Sequence, residues 1–251
     1  MFSDTNFYNP SLFYKSQDDF IIKFSADKRQ YIPASLGRQS WMKETDVLHT
    51  EIDISLGQSR YGGPVIDLPP GVDHPEGLYY AGQIDLALCS PHDKTGLLPK
   101  TGQLIFFADI LTDTGKVIYT DVPNHQLVRH IVEHEDNFFY GVLINEITAD
   151  TEPFSDRYRQ PEDEYEEDDV DENGMYWDYF GGTYLSKIFG IFTHCQLGKE
   201  EVEEFIHSDK IVLWQIGENN FNDDGVFSVL IKEEDLKNLN FDNCEFYWAQ
   251  S

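Results

Sequence analysis

The sequence is poor in positively charged residues. Its 251 residues include 18 Lys and Arg against 46 Asp and Glu, which gives a formal net charge of −28. A surface this acidic repels the phosphates of nucleic acids and of anionic membranes, so both are excluded as general binding partners. A basic protein is the partner whose charge complements it.

Cysteines and long apolar runs are also scarce. Cys89, Cys195 and Cys244 are scattered and odd in number, which argues against a disulfide framework and favours a reducing compartment. The strongest apolar run, residues 104–111, is interrupted by an aspartate and is far too short to cross a bilayer. The N-terminus does not have the pattern of a secretory signal. These features predict a cytoplasmic protein.

Apolar residues are nonetheless numerous enough for a folded core. Hydrophobic residues make up 40% of the chain and aromatic residues 14%, which argues against disorder of the whole chain. Alternating, aromatic-rich segments bounded by turn formers predict mostly strands. The predicted strands are residues 51–55, 79–86, 102–108, 115–121, 138–147, 210–216 and 226–231. Helices are predicted at residues 198–208 and 232–239, and residues 20–24 fit a strand or a short helix.

Three short patterns recur in the same order in two parts of the chain, which indicates an internal repeat. The matching pairs are 59–63 with 186–190, 80–84 with 213–216 once one residue is dropped, and 102–109 with 225–232. We therefore predict an α+β fold of mainly antiparallel β-sheet, with two similar tandem halves and a few short helices.

An acidic run separates the two halves. Residues 162–172 hold nine acids and no base, and like charges at this density favour an open, solvated segment. We predict an N-terminal half with the first repeat (1–150), an acidic insertion or linker (151–178) and a C-terminal half with the second repeat (179–251). Together they are expected to form one globular unit, a monomer by default.

The acidic insertion is the candidate region for partner binding. Its acids attract a basic surface, and aromatic residues beside charges are typical of interaction hot spots, although the same aromatics also suit the rim of a core. The candidate partner-binding residues are Glu162, Asp163, Glu164, Glu166, Glu167, Asp168, Asp169, Asp171, Glu172 and Trp177.

One motif raises a catalytic alternative. His130, Glu133 and His134 fit the H-x-x-E-H pattern of inverted zinc proteases, which needs both histidines on one helical turn. If residues 124–135 are helical, the spacing holds. If they form a strand, the two histidines lie about 13 Å apart, too far for one metal ion. No catalytic residue is assigned and no cofactor is predicted, and these three residues remain candidates for a metal site.

Several motifs resemble the YwqG-like family of bacterial proteins of unknown function. The motifs in the first half are Ser59-Arg60-Tyr61-Gly62-Gly63-Pro64, Gln83-Ile84-Asp85-Leu86 and the run from Leu97 to Phe107. Those in the second half are Ser186-Lys187-Ile188-Phe189-Gly190 and Leu213-Trp214-Gln215-Ile216. The second half departs from the family pattern, because Phe189 replaces one of two glycines and His194-Cys195 interrupts a further motif.

The resemblance covers roughly residues 55–251. It implies a compact α+β protein of mainly antiparallel sheet without a settled activity. Since members occur among polymorphic-toxin loci, it also implies an immunity or partner-binding role. The sequence thus favours a non-enzymatic binding protein, such as an immunity protein for a bacterial toxin. The alternatives are a metal-dependent hydrolase that uses the H-x-x-E-H motif and a small-ligand-binding module with a pocket between the halves.

Overall fold

The structure of the protein is a computed structural model. It describes residues 20–26, 54–131, 139, 141–152, 158–159, 176–177, 182–194, 196–197, 201, 204–205, 208–218, 221 and 225–250. The strands in these residues are β1 (Phe20–Ser25), β2 (Arg60–Tyr61), β3 (Val65–Leu68), β4 (Tyr79–Asp85), β5 (Gln103–Asp109), β6 (Thr114–Thr120), β7 (Val128–Ile131), β8 (Val142–Leu143), β9 (Glu146–Thr151), β10 (Tyr158–Arg159), β11 (Tyr176–Trp177), β12 (Lys187–Phe189), β13 (Lys210–Ile216), β14 (Gly225–Lys232) and β15 (Glu245–Gln250). The helices are α1 (Leu86–Cys89), α2 (Glu233–Lys237) and 3-10 turns at Ser90–His92, Asn124–Gln126 and Phe241–Asn243.

The strands form two main sheets and two small ribbons. The first sheet has the order β6-β5-β4-β2-β8, and the second has the order β15-β14-β13-β12-β1-β9. The ribbons are β3–β7 and β10–β11, and every pairing is antiparallel. The predicted α+β fold of mainly antiparallel sheet with a few short helices is confirmed. Within the described residues, no helix is long and apolar enough to cross a membrane.

The main core lies between the two sheets. Trp214 of the six-stranded sheet is fully buried, and its ring lies 4.3 Å from the ring of Phe106 in the five-stranded sheet. Side chains alternate between the faces of a strand, so Phe227 and Val229 of β14 point to the same core. This alternation is the pattern from which the strands were predicted.

The pairing register of the first sheet recurs in the second. Arg60 of β2 lies opposite Gln83 of β4, and Lys187 of β12 lies opposite Gln215 of β13. A register shift precedes the glutamine in both β4 and β13. The residues matched in the sequence repeat therefore hold the same places in the two sheets.

A hydrogen bond from a backbone N–H to a serine hydroxyl also recurs in the two sheets. The Ser59 hydroxyl accepts a 2.9 Å hydrogen bond from the backbone N–H of Asp85. The Ser186 hydroxyl accepts a 3.0 Å bond from the backbone N–H of Gly217. In each sheet, this bond ties the residue before the buried cation to the end of the neighbouring strand.

The sheets do not coincide strand for strand with the predicted halves. β1 and β9 precede the acidic insertion, yet both lie in the six-stranded sheet, where β1 pairs with β12. Residues 20–24 are thus part of a strand, whereas Ile54 and Ser55 lie outside any strand. The predicted helix at residues 198–208 lies mostly outside the described residues, and the domain boundaries stay a prediction.

The turn after each buried cation needs a left-handed backbone. Gly62 and Gly63 have φ of 60° and 83°, and Phe189 and Gly190 have φ of 67° and 79°. Phe189 is therefore a bulky residue in a conformation that favours glycine. Its ring is buried and lies 6.1 Å from the ring of Phe20.

Because of this strain, we expect glycine to be preferred over alanine at position 189, the reverse of the usual order in a strand. Phe189→Gly and Phe189→Ala both lose the contact with Phe20, but only glycine relieves the strain. We expect the glycine variant to be more stable than the alanine variant by about 1 kcal/mol, against the usual order for a strand. Urea unfolding of both variants measures this difference, and equal or reversed stabilities would contradict it.

Candidate functional site

A buried arginine, Arg60, lies at the centre of the first sheet's polar cluster. Its side chain is completely inaccessible to solvent. Nε donates to the carbonyl of Val65 at 3.1 Å, Nη1 to that of Gln58 at 2.7 Å and Nη2 to Oδ2 of Asp67 at 3.0 Å. All three guanidinium nitrogens are thus engaged within the fold.

Asp67 joins two arginines. Besides Arg60, it accepts from Nε of Arg129 at 2.8 Å and from Nη2 of Arg129 at 3.1 Å. Burial alone would raise the pKa of the carboxyl. The hydrogen bond from Arg129, the charge of Arg60 and the backbone N–H of Gly57 outweigh burial and hold this pKa below its usual value. Asp67 is consequently the buried anion that links β3, β7 and β2.

A chain of side-chain hydrogen bonds continues from this cluster. Nε2 of Gln83 donates to Oε1 of Gln103 at 3.2 Å, and Nε2 of Gln103 donates to Oδ1 of Asn124 at 2.8 Å. Nδ2 of Asn124 donates to Oδ2 of Asp85 at 2.7 Å. The other carboxylate oxygen of Asp85 caps α1 by accepting from the N–H of Ala87 at 2.9 Å. These polar groups are satisfied by one another and fix the strand ends.

The second sheet holds a lysine at the place of Arg60. Lys187 is fully buried and forms an ion pair with Glu152, whose side chain is 5% exposed. Nζ also donates to the carbonyl of Ile191 at 2.8 Å, and the N–H of Ile191 donates to Oε2 of Glu152 at 3.1 Å. The anion comes from the residue that follows β9, at the start of the acidic insertion.

Residues that flank the nine acids of the insertion are held at neighbouring positions of one sheet. Glu152, at the start of the insertion, binds Lys187, and Nε2 of Gln215 donates to the carbonyls of Gly182 and Leu185, a few residues after the insertion. Lys187 and Gln215 are cross-strand partners. We call these contacts the root of the insertion. Beyond the root, β10 pairs with β11, which brings residues 159 and 176 opposite each other.

Most of the predicted partner-binding residues lie outside the described residues. This applies to all nine acids of residues 162–172. Trp177 lies in β11, opposite Tyr158. The assignment of these residues to partner binding stays a prediction.

The H-x-x-E-H motif does not begin on a helix. His130 lies in β7, opposite Ile66 of β3, so the helical alternative for residues 124–135 is wrong and the strand alternative holds for residues 128–131. Glu133 and His134 lie outside the described residues. Elsewhere, the described ranges contain no group of three or more His, Cys, Asp or Glu that could hold a metal ion.

The buried ion pairs make the surface still more acidic. Arg60 and Lys187 are fully buried, and the side chain of Arg129 is 9% exposed. Their partners Asp67 and Glu152 are buried as well. These three cations and two anions carry a net charge of +1. Since the whole chain carries −28, all other residues together carry −29.

These five ions were not predicted as site residues. Arg60 and Lys187 appear in the repeat, and Asp67 follows Arg60 by seven residues. The other two pairings are distant in the sequence, because Asp67 and Arg129 are 62 residues apart and Glu152 and Lys187 are 35 apart. A base inside an apolar, glycine-rich segment of an otherwise acidic chain is the one sequence signal that points to them.

Comparison with known proteins gives a family. The model of a domain of unknown function (DUF1963) matches residues 59–249, which is most of the chain. The chain belongs to the DUF1963 family. Both buried-cation sites and both halves of the repeat lie inside the matched region, whereas β1 lies outside it. No curated protein matches the chain.

Proposed function

We propose that this DUF1963 protein is a non-enzymatic, cytoplasmic binding module that recognises a basic protein through its acidic insertion. The observation that carries the proposal is the charge distribution. The chain has few bases, and three of them are withdrawn into buried ion pairs. A surface with one dominant sign of charge attracts an oppositely charged partner and speeds its association.

The root supports a role for the insertion. Hydrogen bonds tie Glu152 and the Gly182–Leu185 turn, which flank the acids in the sequence, to cross-strand neighbours of one sheet. The candidate contacts are Glu162, Asp163, Glu164, Glu166, Glu167, Asp168, Asp169, Asp171, Glu172 and Trp177. The resemblance to the YwqG-like family favours a finer role, that of an immunity protein which neutralises a basic bacterial toxin.

The test compares the wild-type chain with a variant in which all nine acids of residues 162–172 become amides. Each immobilised protein captures partners from an extract of the native host at about 150 mM salt. We expect the wild-type chain to retain a basic protein. For that protein, once purified, we expect the amide variant to bind about 100-fold more weakly, because each lost charge contributes a few tenths of a kcal/mol.

A matched control removes acids elsewhere. Glu233 and Glu234 lie in α2 and Asp242 lies in the following 3-10 turn; all three are exposed, and their amide variant keeps the insertion intact. We expect it to bind within about threefold of the wild-type chain. Equal affinity of the wild-type chain and the insertion variant for the captured protein would contradict the proposed role of the insertion.

A further inference from the structure

Among the described strands, β9 is one of the two edges of the six-stranded sheet. It pairs with β1 over six consecutive residues, and no strand of the described chain pairs with its other side. Ala149, Asp150 and Thr151 are exposed. No described strand takes the backbone N–H and C=O groups on this side, so the edge is a template for one more strand.

The other sheet edges in the described ranges have less room for an added strand. β15 at the far end of the same sheet runs beside β6, where the backbone of Gly115 lies against the ring of Phe246. β8, at one edge of the five-stranded sheet, has only two residues. β6, the other edge of the five-stranded sheet, is the strand that runs beside β15. Among the described strands, β9 is the remaining edge of six residues, and it contacts the 3-10 turn at Ser90–His92.

Of the devices that protect a sheet edge, β9 has charged side chains but no proline and no bulge. Its sequence, Glu-Ile-Thr-Ala-Asp-Thr, has no proline and no lysine, and its register with β1 runs without a bulge. It carries two acids instead, Glu146 and Asp150. Acids at an edge repel other acidic strands, but they attract a basic one.

The two faces of β9 differ. Ile147 packs against the core between the sheets, and Ala149 and Thr151 share its face because side chains alternate. Glu146, Thr148 and Asp150 lie on the opposite face, where Asp150 pairs with Lys23 at 3.6 Å. An added strand would therefore meet small or apolar side chains on one face and acids on the other.

We infer that β9 docks an extended segment of a basic protein, which adds as a seventh strand with its Lys or Arg side chains beside Glu146 and Asp150 and its apolar side chains beside Ile147 and Ala149. The inference rests on the proposed function, since it names the surface and the kind of segment. A second copy of this chain fits poorly, because edge-to-edge pairing would bring together the acids of two chains that each carry −28.

The probe is a capped hexapeptide of alternating Lys and Val. It is added to the isotope-labelled full chain at low ionic strength, and backbone amide shifts are followed by NMR. We expect the shifts to concentrate in β9 and β1. The same peptide with Glu in place of Lys is expected to cause none. Shifts elsewhere, or none with the Lys peptide, would overturn the inference.

Two adjacent proline variants test the backbone. Successive N–H groups of a strand point in opposite directions, so one of Thr148→Pro and Ala149→Pro removes an N–H that faces solvent, and the other removes one that faces β1. The solvent-facing proline is tolerated at an edge. We expect this variant to keep the melting temperature of the wild-type chain and to bind the peptide about tenfold or more weakly. Unchanged binding by both variants would overturn the inference.

A charge variant completes the test. Glu146→Gln with Asp150→Asn is expected to weaken Lys-peptide binding about threefold to tenfold, whereas Glu233→Gln with Glu234→Gln on α2 leaves it unchanged. Equal effects of the two double variants would mean non-specific attraction and would overturn the inference. Sedimentation tests the alternative occupant, a second copy of the chain. If the wild-type chain forms a dimer and either Ala149→Pro or Thr148→Pro abolishes it, the inference is also overturned.

Capture of the basic host protein separates this inference from the proposed function. If the amide variant of residues 162–172 loses that protein while both proline variants keep it, the proposed function stands and the β9 site is wrong. If the folded proline variant loses the protein and the amide variant keeps it, β9 is supported and the role of the insertion is wrong.

Discussion

Replacing Asp67 with alanine is expected to lower the free energy of unfolding by about 3–5 kcal/mol. The substitution leaves the fully buried Arg60 without its anion, although it still donates to the carbonyls of Val65 and Gln58. Arg129 loses its carboxylate partner as well and keeps the carbonyl of Ile54. An uncompensated buried cation is costly because the interior solvates charge poorly. Urea unfolding at neutral pH measures the change.

Asp150→Ala is the matched control for Asp67→Ala. Asp150 also pairs with a base, Lys23, but its side chain is 48% exposed. Loss of an exposed pair is expected to cost at most about 1 kcal/mol. If Asp67→Ala costs no more than this control, the buried cluster does not stabilise the fold as described.

The effect of Asp67 should depend on pH in one direction. Its pKa in the folded protein lies below the usual value of 3.8. A carboxyl with a lowered pKa stabilises the fold fully above its unfolded-state pKa, and this contribution is lost as the pH falls through the folded-state pKa. The stability gap between the wild-type chain and Asp67→Ala is therefore expected to be constant near neutral pH and to shrink below about pH 4.

Replacing Lys187 with methionine is expected to cost a similar amount, about 3–5 kcal/mol. The carboxylate of Glu152 would stay buried, with the backbone N–H of Ile191 still donating to it. The double variant with Glu152→Gln removes the stranded charge and keeps an acceptor for that N–H. We expect it to recover at least about 2 kcal/mol of the loss in urea unfolding.

An exposed lysine controls for the loss of a charge as such. Lys232 pairs with Asp209 at 3.2 Å, and their side chains are 52% and 66% exposed. Lys232→Met is expected to change stability by at most about 1 kcal/mol. A double variant at positions 187 and 152 that is less stable than Lys187→Met would contradict the account of a buried ion pair.

Local patterns predict the strands but not the ion pairs. β4, β5, β6, β13 and β14 were predicted because each strand carries its own sequence pattern over seven or eight residues. The acids that neutralise Arg60 and Lys187 come from other strands or from the end of one. In the second sheet, the acid Glu152 precedes its cation Lys187 in the sequence and lies outside the repeated segments, so the repeat does not reveal it.

The region around His130 illustrates the same limit. Its branched residues suit a helix or a strand, and no nearby residue decides between them. The decision comes from β3, where Ile66 supplies the strand partner of His130 and Asp67 that of Arg129. A pairing across some sixty residues cannot be read from a local window, because tertiary contacts override propensity.

The root has a consequence for how this chain tolerates change. Because Glu152 and the Gly182–Leu185 turn are tied to cross-strand neighbours, the distance between the ends of the insertion does not depend on what lies between them. The entropy of closing such a loop grows only with the logarithm of its length, by about 0.6 kcal/mol for each doubling. The acidic stretch can therefore lengthen, shorten or exchange its residues at little cost to the stability of the two sheets.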